Sequence, residues 1–215
     1  MPLLPMDLRL EGDHSRIEEL RPLLRRVSEV AGVEPAHLAV FLDSTDHAGD
    51  TSVSDHFRKP AGLFVCAGFA HDGVPLSVRP LMADSTCHFL IWLSKSLLDE
   101  ETEQILWVLA HEYRHFMHRT GIADANEIAC SLVTIHENEG IATRYSNLDR
   151  PEELDCELFA HEVTQKILGA EALDSFIERR CADLQGAAYY QRLKYLAREL
   201  ETSNPASQPT AFGGG

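Results

Sequence analysis

The run Trp107-Val108-Leu109-Ala110-His111-Glu112-Tyr113-Arg114-His115 sets two histidines four residues apart, with a glutamate directly after the first. On an α-helix, positions i and i+4 project to one side about one turn apart, so two imidazoles at this spacing converge on one point. Glu112 lies about 100° around the helix from His111, beside that point. Two neutral imidazoles flanked by a carboxylate suit hydrolytic zinc chemistry. The ion takes imidazole nitrogen at about 2.0 to 2.1 Å, keeps a position for water, and leaves the carboxylate to act as general base. With 11 His and 34 acidic residues in 215, chance gives roughly 0.09 occurrences of the pattern. The competing reading is a buried helix whose histidines are satisfied by ordinary hydrogen bonds.

His118 falls on the same side of this helix but about 10.5 Å along it from His111. It cannot share one tetrahedral ion with both other histidines and is read as a support to a ligand or as a surface residue.

A catalytic zinc needs a third protein ligand, and two downstream stretches offer one. In Pro151-Glu152-Glu153-Leu154-Asp155-Cys156-Glu157-Leu158-Phe159-Ala160, helical phasing puts Glu153, Cys156, Glu157 and Ala160 on one face and Asp155 on another. The small residues at 156 and 160 let this helix approach the histidine helix. Glu153 can then ligate while Glu157 accepts a hydrogen bond from a ligand imidazole, as zinc histidines commonly require. The other stretch is Asn138-Glu139-Gly140-Ile141-Ala142, in which Glu139 is the candidate. Glu153 is the expected ligand, with Glu139 and Asp155 as the alternatives. A plain solvated face is the competing reading for all of these carboxylates.

The pattern HExxH followed by a helix of the form E-x-D-x-x-x-F-A resembles the ImmA/IrrE-type zinc metallopeptidases and related small gluzincins of phage and bacterial mobile elements. The resemblance covers about residues 105–167. Cys156 and Arg114 stand where smaller residues are usual, and 37 residues separate His115 from Glu153, a longer gap than in compact members. The stretch around Glu139 is similar to the N-E-G-x-A motif of aminopeptidase-like gluzincins. The resemblance implies a zincin-like fold with Zn2+ as cofactor, His111, His115 and Glu153 as metal ligands, and Glu112 as catalytic base. It also implies an endopeptidase whose protein substrate is a regulator. A zincin-fold binding or inhibitory protein of phage or mobile-element origin, with little turnover, is the alternative. Tyr113, His136, Tyr145 and His161 are all candidates to stabilise the oxyanion.

The elements that must position these groups are legible in outline. Apolar residues at helical spacing predict a helix over 15–31, stopped by Gly32, with Pro22 marking a late start or a kink. Short β-rich runs at 37–42, 62–69 and 87–93 predict strands. The polar segment between the first two, with Asp46, His47, Asp50 and His56, reads as a solvated loop. From residue 98 the chain reads as helical to 200. Asp99 is the expected cap of a helix over 99–119, a second helix is expected over 125–144, and a third runs from Pro151 to Gly169. Strands followed by helices predict an α+β fold, with a small, mostly antiparallel sheet packed on a helical layer. The histidine helix lies against that sheet. A single domain over 1–200 and a disordered tail over 201–215, rich in Ser, Pro, Thr and Gly, complete the expectation.

A formal net charge of -15, from 19 basic and 34 acidic residues, argues against direct nucleic-acid or anionic-membrane partners and leaves a protein or peptide substrate as the expected partner. Five scattered cysteines without a CxxC pair fit reduced thiols. With neither a signal-like segment nor an apolar stretch long enough to span a bilayer, the chain is expected to be soluble and cytoplasmic.

Overall fold

The computed structural model describes residues 9–44, 62–66, 78–123 and 151–180, together with positions 191, 193–195 and 198. The architecture is α+β. Strands β1 (Arg9–Gly12), β2 (Leu38–Leu42), β3 (Gly62–Cys66) and β4 (Phe89–Leu93) form one sheet in the order β1-β2-β4-β3. The helices are α1 (Ile17–Ala31), two single turns α2 (Arg79–Met82) and α3 (Lys95–Leu98), and then α4 (Thr102–Arg119), α5 (Pro151–Leu168) and α6 (Ala170–Arg180). None of the described helices is long and apolar enough to cross a membrane.

The sheet is mixed, which corrects the expectation of a mostly antiparallel one: β1 and β4 both run parallel to β2, and only β3 is antiparallel to its neighbour β4. The physical reason begins at β1, a strand the sequence reading did not predict. It pairs with β2 through the crossover helix α1, and parallel pairing needs such a connection. The two central strands, Leu-Ala-Val-Phe-Leu and Phe-Leu-Ile-Trp-Leu, are apolar throughout, as strands covered on both faces are. Their residues alternate between two cores. Leu38, Val40, Leu42, Ile91 and Leu93 face the helices, whereas Ala39, Leu90 and Trp92 pack with Val65, Val78 and Cys87 on the other face.

Helix α1 starts at Ile17 and runs through Pro22, so the proline neither delays the start nor ends the helix. Gly32, at φ 65°, ends it by donating to Glu29 O, and Val33 donates to Ser28 O. A residue without Cβ takes this left-handed conformation without strain.

The start of the histidine helix also differs from expectation. Ser94 Oγ caps the short α3 by accepting from Leu97 N–H. Asp99, the expected cap, instead closes α3 and pairs with Lys95. Helix α4 begins at Thr102, with Glu101 at the cap position. Its buried residues Ile105, Leu106, Leu109, Ala110, Tyr113 and Phe116 belong to the helix-facing core, and α5 is its principal packing partner. Ala110, Cys156 and Ala160 are fully buried, and small side chains of this kind let two helix axes come close.

The third predicted strand segment is shorter than expected, beginning at Phe89, with Cys87 and His88 before it. The tail 201–215, the expected helix over 125–144, the loop carrying Asp46, His47, Asp50 and His56, and residues 67–69 lie outside the described residues.

Candidate metal centre

Helix α4 presents His111 and His115 one turn apart, and α5 brings Glu153 across to them. His115 Nε2 lies 3.2 Å from His111 Nε2. Glu153 Oε2 lies 3.4 Å from His111 Nε2 and 3.7 Å from His115 Nε2. Three donor atoms thus form a nearly equilateral triangle. Zinc bonds of about 2.0 to 2.1 Å in tetrahedral geometry place ligand atoms roughly 3.3 to 3.4 Å apart. The triangle is therefore the size of one face of such a coordination shell.

The electrostatics fit a cation there. His111 and His115 are largely buried, with side chains 14% and 16% exposed. Burial disfavours their charged forms. The carboxylates of Glu153 and Glu157 more than offset this at His111, raising it to about 10, and Glu153 and Glu112 raise His115 as well. The same two imidazoles hold Glu153 well below the usual carboxylate range. A pocket that binds protons this strongly is one in which positive charge is favoured, and a divalent cation supplies it when those protons leave.

Glu157 stands behind His111, with Oε1 3.2 Å from Nδ1. That nitrogen is buried and makes no well-directed hydrogen bond, so carboxylate and ring meet as an ion pair. Among the described groups this is the kind of carboxylate–imidazole contact that sets which ring nitrogen is free to ligate.

Glu112 points the other way, toward the sheet. Burial raises its carboxyl above the ordinary glutamate value, while His111, His115 and a hydrogen bond from the Phe64 backbone N–H favour its charged form. Strand β3 comes this close because residue 62 is glycine: a Cβ there would lie 2.6 Å from Val108 Cγ1, 3.2 Å from Glu112 Cγ and 3.3 Å from Glu112 Oε1. Among the described strands, β3, which carries Phe64, stands at the end of the sheet.

Of the alternative third ligands, Asp155 is engaged elsewhere. It accepts from Arg114 at 2.6 and 3.3 Å and lies 2.6 Å from His118 Nε2. Glu139 lies outside the described residues. Cys156 is buried with Sγ 3.5 Å from His115 Nδ1, and its donor atom also groups with the two histidines. Burial and the surrounding carboxylates push its thiol upward. It also faces the Nδ1 side of His115, whereas the triangle uses Nε2. The carboxylate that completes a triangle with the two Nε2 atoms is that of Glu153.

Among the oxyanion candidates, Tyr113 is taken, since its hydroxyl donates to Val33 O at 2.8 Å. The His161 ring packs edge-on to Trp107 with centroids 6.1 Å apart. His136 and Tyr145 lie outside the described residues.

Sequence reasoning missed Gly62 and Glu152. An i, i+3 pairing of Glu152 with Asp155 opposite His115 and His118 was there to be read. Nothing in the sequence marked Gly62. No protein-family model matches the chain, and no curated protein or solved structure matches it.

Proposed function

We propose that this protein is a zinc-dependent metallopeptidase that hydrolyses a peptide bond in a protein substrate. The observation that carries the reading is the triangle of His111 Nε2, His115 Nε2 and Glu153 Oε2, matched in size to zinc and flanked by Glu112. The likeness to ImmA/IrrE-type enzymes, carried by the motif residues alone, points to a regulator as the substrate. Zinc held by His111, His115 and Glu153 would polarise the scissile carbonyl and acidify a bound water.

The chain's own residues do the rest. His111 and His115 would hold the ion through Nε2, and Glu157 at the back of His111 favours the tautomer that leaves that nitrogen free. Glu112 takes a proton from the attacking water and returns it to the leaving amine. Its raised affinity for a proton suits a group that must both accept and donate one. The hydrogen bond from Phe64 N–H fixes its carboxylate against the end strand. An extended peptide laid beside β3 would run past this carboxylate by main-chain pairing. Cys66, Cys87 and Cys156 are all free thiols, which supports a reducing, cytoplasmic setting.

The test is incubation of the zinc-loaded protein and its Glu112→Gln variant with a proteome-derived peptide library, read by mass spectrometry of new N-termini. New termini with the wild type and none with the variant are expected. A zinc-loaded wild type that cuts nothing, yet captures a protein equally well with or without Glu112, would favour the binding or inhibitory alternative.

A further inference from the structure

His115 has a second nitrogen, and a second set of donors gathers around it. Its Nδ1 lies 3.4 Å from Glu152 Oε1. The same oxygen is 3.7 Å from His118 Nδ1, and one donor atom from each of the three residues lies within 4.8 Å of the others. The two carboxylate–imidazole separations, 3.4 and 3.7 Å, are close to the roughly 3.3 to 3.4 Å between ligands of a tetrahedral zinc.

His118 shows that the gathering is more than an ion pair at the surface. Its side chain is 5% exposed, and its Nδ1 is buried without a hydrogen-bond partner. Its other nitrogen is committed: Nε2 lies 2.6 Å from Asp155 Oδ2, and Arg114 grips the same carboxylate. A carboxylate so held accepts hydrogen bonds, so the Nε2 side of the ring is committed and Nδ1 is the nitrogen open to a further partner. Glu152 Oε1 faces that nitrogen from 3.7 Å. A buried nitrogen left without a hydrogen-bond partner is costly, and a cation set between it and the carboxylate would satisfy both.

We propose that His115 Nδ1, His118 Nδ1 and Glu152 form a second divalent-cation site beside the first. Two imidazoles and one carboxylate select zinc or a similar borderline cation over magnesium or calcium, which prefer oxygen ligands. Asp155, anchored by Arg114, orients the His118 ring for it. When both sites are filled, His115 bridges them: the ring gives up its remaining N–H proton to solvent, and each nitrogen offers one lone pair. The inference rests on the zinc reading of the first site only through that shared ring.

The experiment is equilibrium dialysis of the metal-stripped full chain against Zn2+, with elemental analysis, for the wild type and for His118→Gln, Glu152→Gln and Glu153→Gln. Circular dichroism checks each variant's fold. Glu152 is more than half exposed, so its variant guards against a folding failure at His118. Two equivalents in the wild type, with the weaker one lost in both His118→Gln and Glu152→Gln, is the expected result. One equivalent in the wild type and in both variants would overturn the second site and leave the first standing. A single equivalent kept by Glu153→Gln but lost in His118→Gln would place the ion at the second site and overturn the first. Zinc bound by none of the four proteins would overturn both.

Discussion

Trp107 Nε1 donates to Glu157 Oε2 at 2.8 Å, while the other oxygen of Glu157 lies 3.2 Å from His111 Nδ1. An indole on α4 thus holds the α5 carboxylate that orients a histidine one turn further along α4. Glu157→Gln keeps the shape but weakens the grip on the imidazole. Zinc affinity is expected to fall about 10- to 100-fold, measured by competition with a chromophoric chelator. Unchanged affinity would mean that His111 needs no such support.

Glu112→Gln is expected to lower kcat/KM by about 10² to 10⁴, the usual range for loss of a general acid–base group, while the zinc content stays that of the wild type. Elemental analysis alongside steady-state kinetics checks both halves. Loss of zinc in this variant would make Glu112 a ligand instead of a base.

Gly62→Ala puts a methyl 2.6 Å from Val108 Cγ1, and a β-branched side chain on a helix has little rotamer freedom to withdraw. Overpacking of this kind costs about 1 to 3 kcal/mol, visible as a lower Tm. Because the same methyl crowds Glu112, kcat should fall with zinc still bound. The double variant Gly62→Ala, Val108→Ala should recover most of the stability. A single variant as stable and active as the wild type would contradict the close approach of β3 to α4.

In the metal-free protein His111 is raised from 6.5 to about 10. A group whose folded-state value lies above its unfolded one lends stability that is complete below about pH 6.5 and is lost as pH rises toward 10. Thermal melts of the stripped protein should therefore show Tm falling between pH 6.5 and 10. His111→Gln should flatten that slope. Zinc competes with the same protons, so its affinity should rise across this window.

Much of this arrangement is legible in the chain. The i, i+4 spacing of His111 and His115, the phase of Glu153 and Glu157 on their helix, and the stop at Gly32 all follow from helical geometry, which depends on local sequence alone. So does the two-layer α+β outline, because the change from short β-rich runs to longer helical ones is a local pattern. Tertiary structure decided what local rules do not reach. The four-residue β1 is too short to announce itself, yet it makes the sheet mixed by pairing with β2 across α1. Which carboxylate of α5 meets which nitrogen depends on the approach of two helices about 40 residues apart, and the result splits neighbours: Glu153 faces the Nε2 atoms, Glu152 faces Nδ1 of His115, and Asp155 goes to Arg114 and His118. Gly62 acquires its meaning only when β3 is laid against α4, since the space a missing Cβ leaves is a property of the neighbour and not of the glycine.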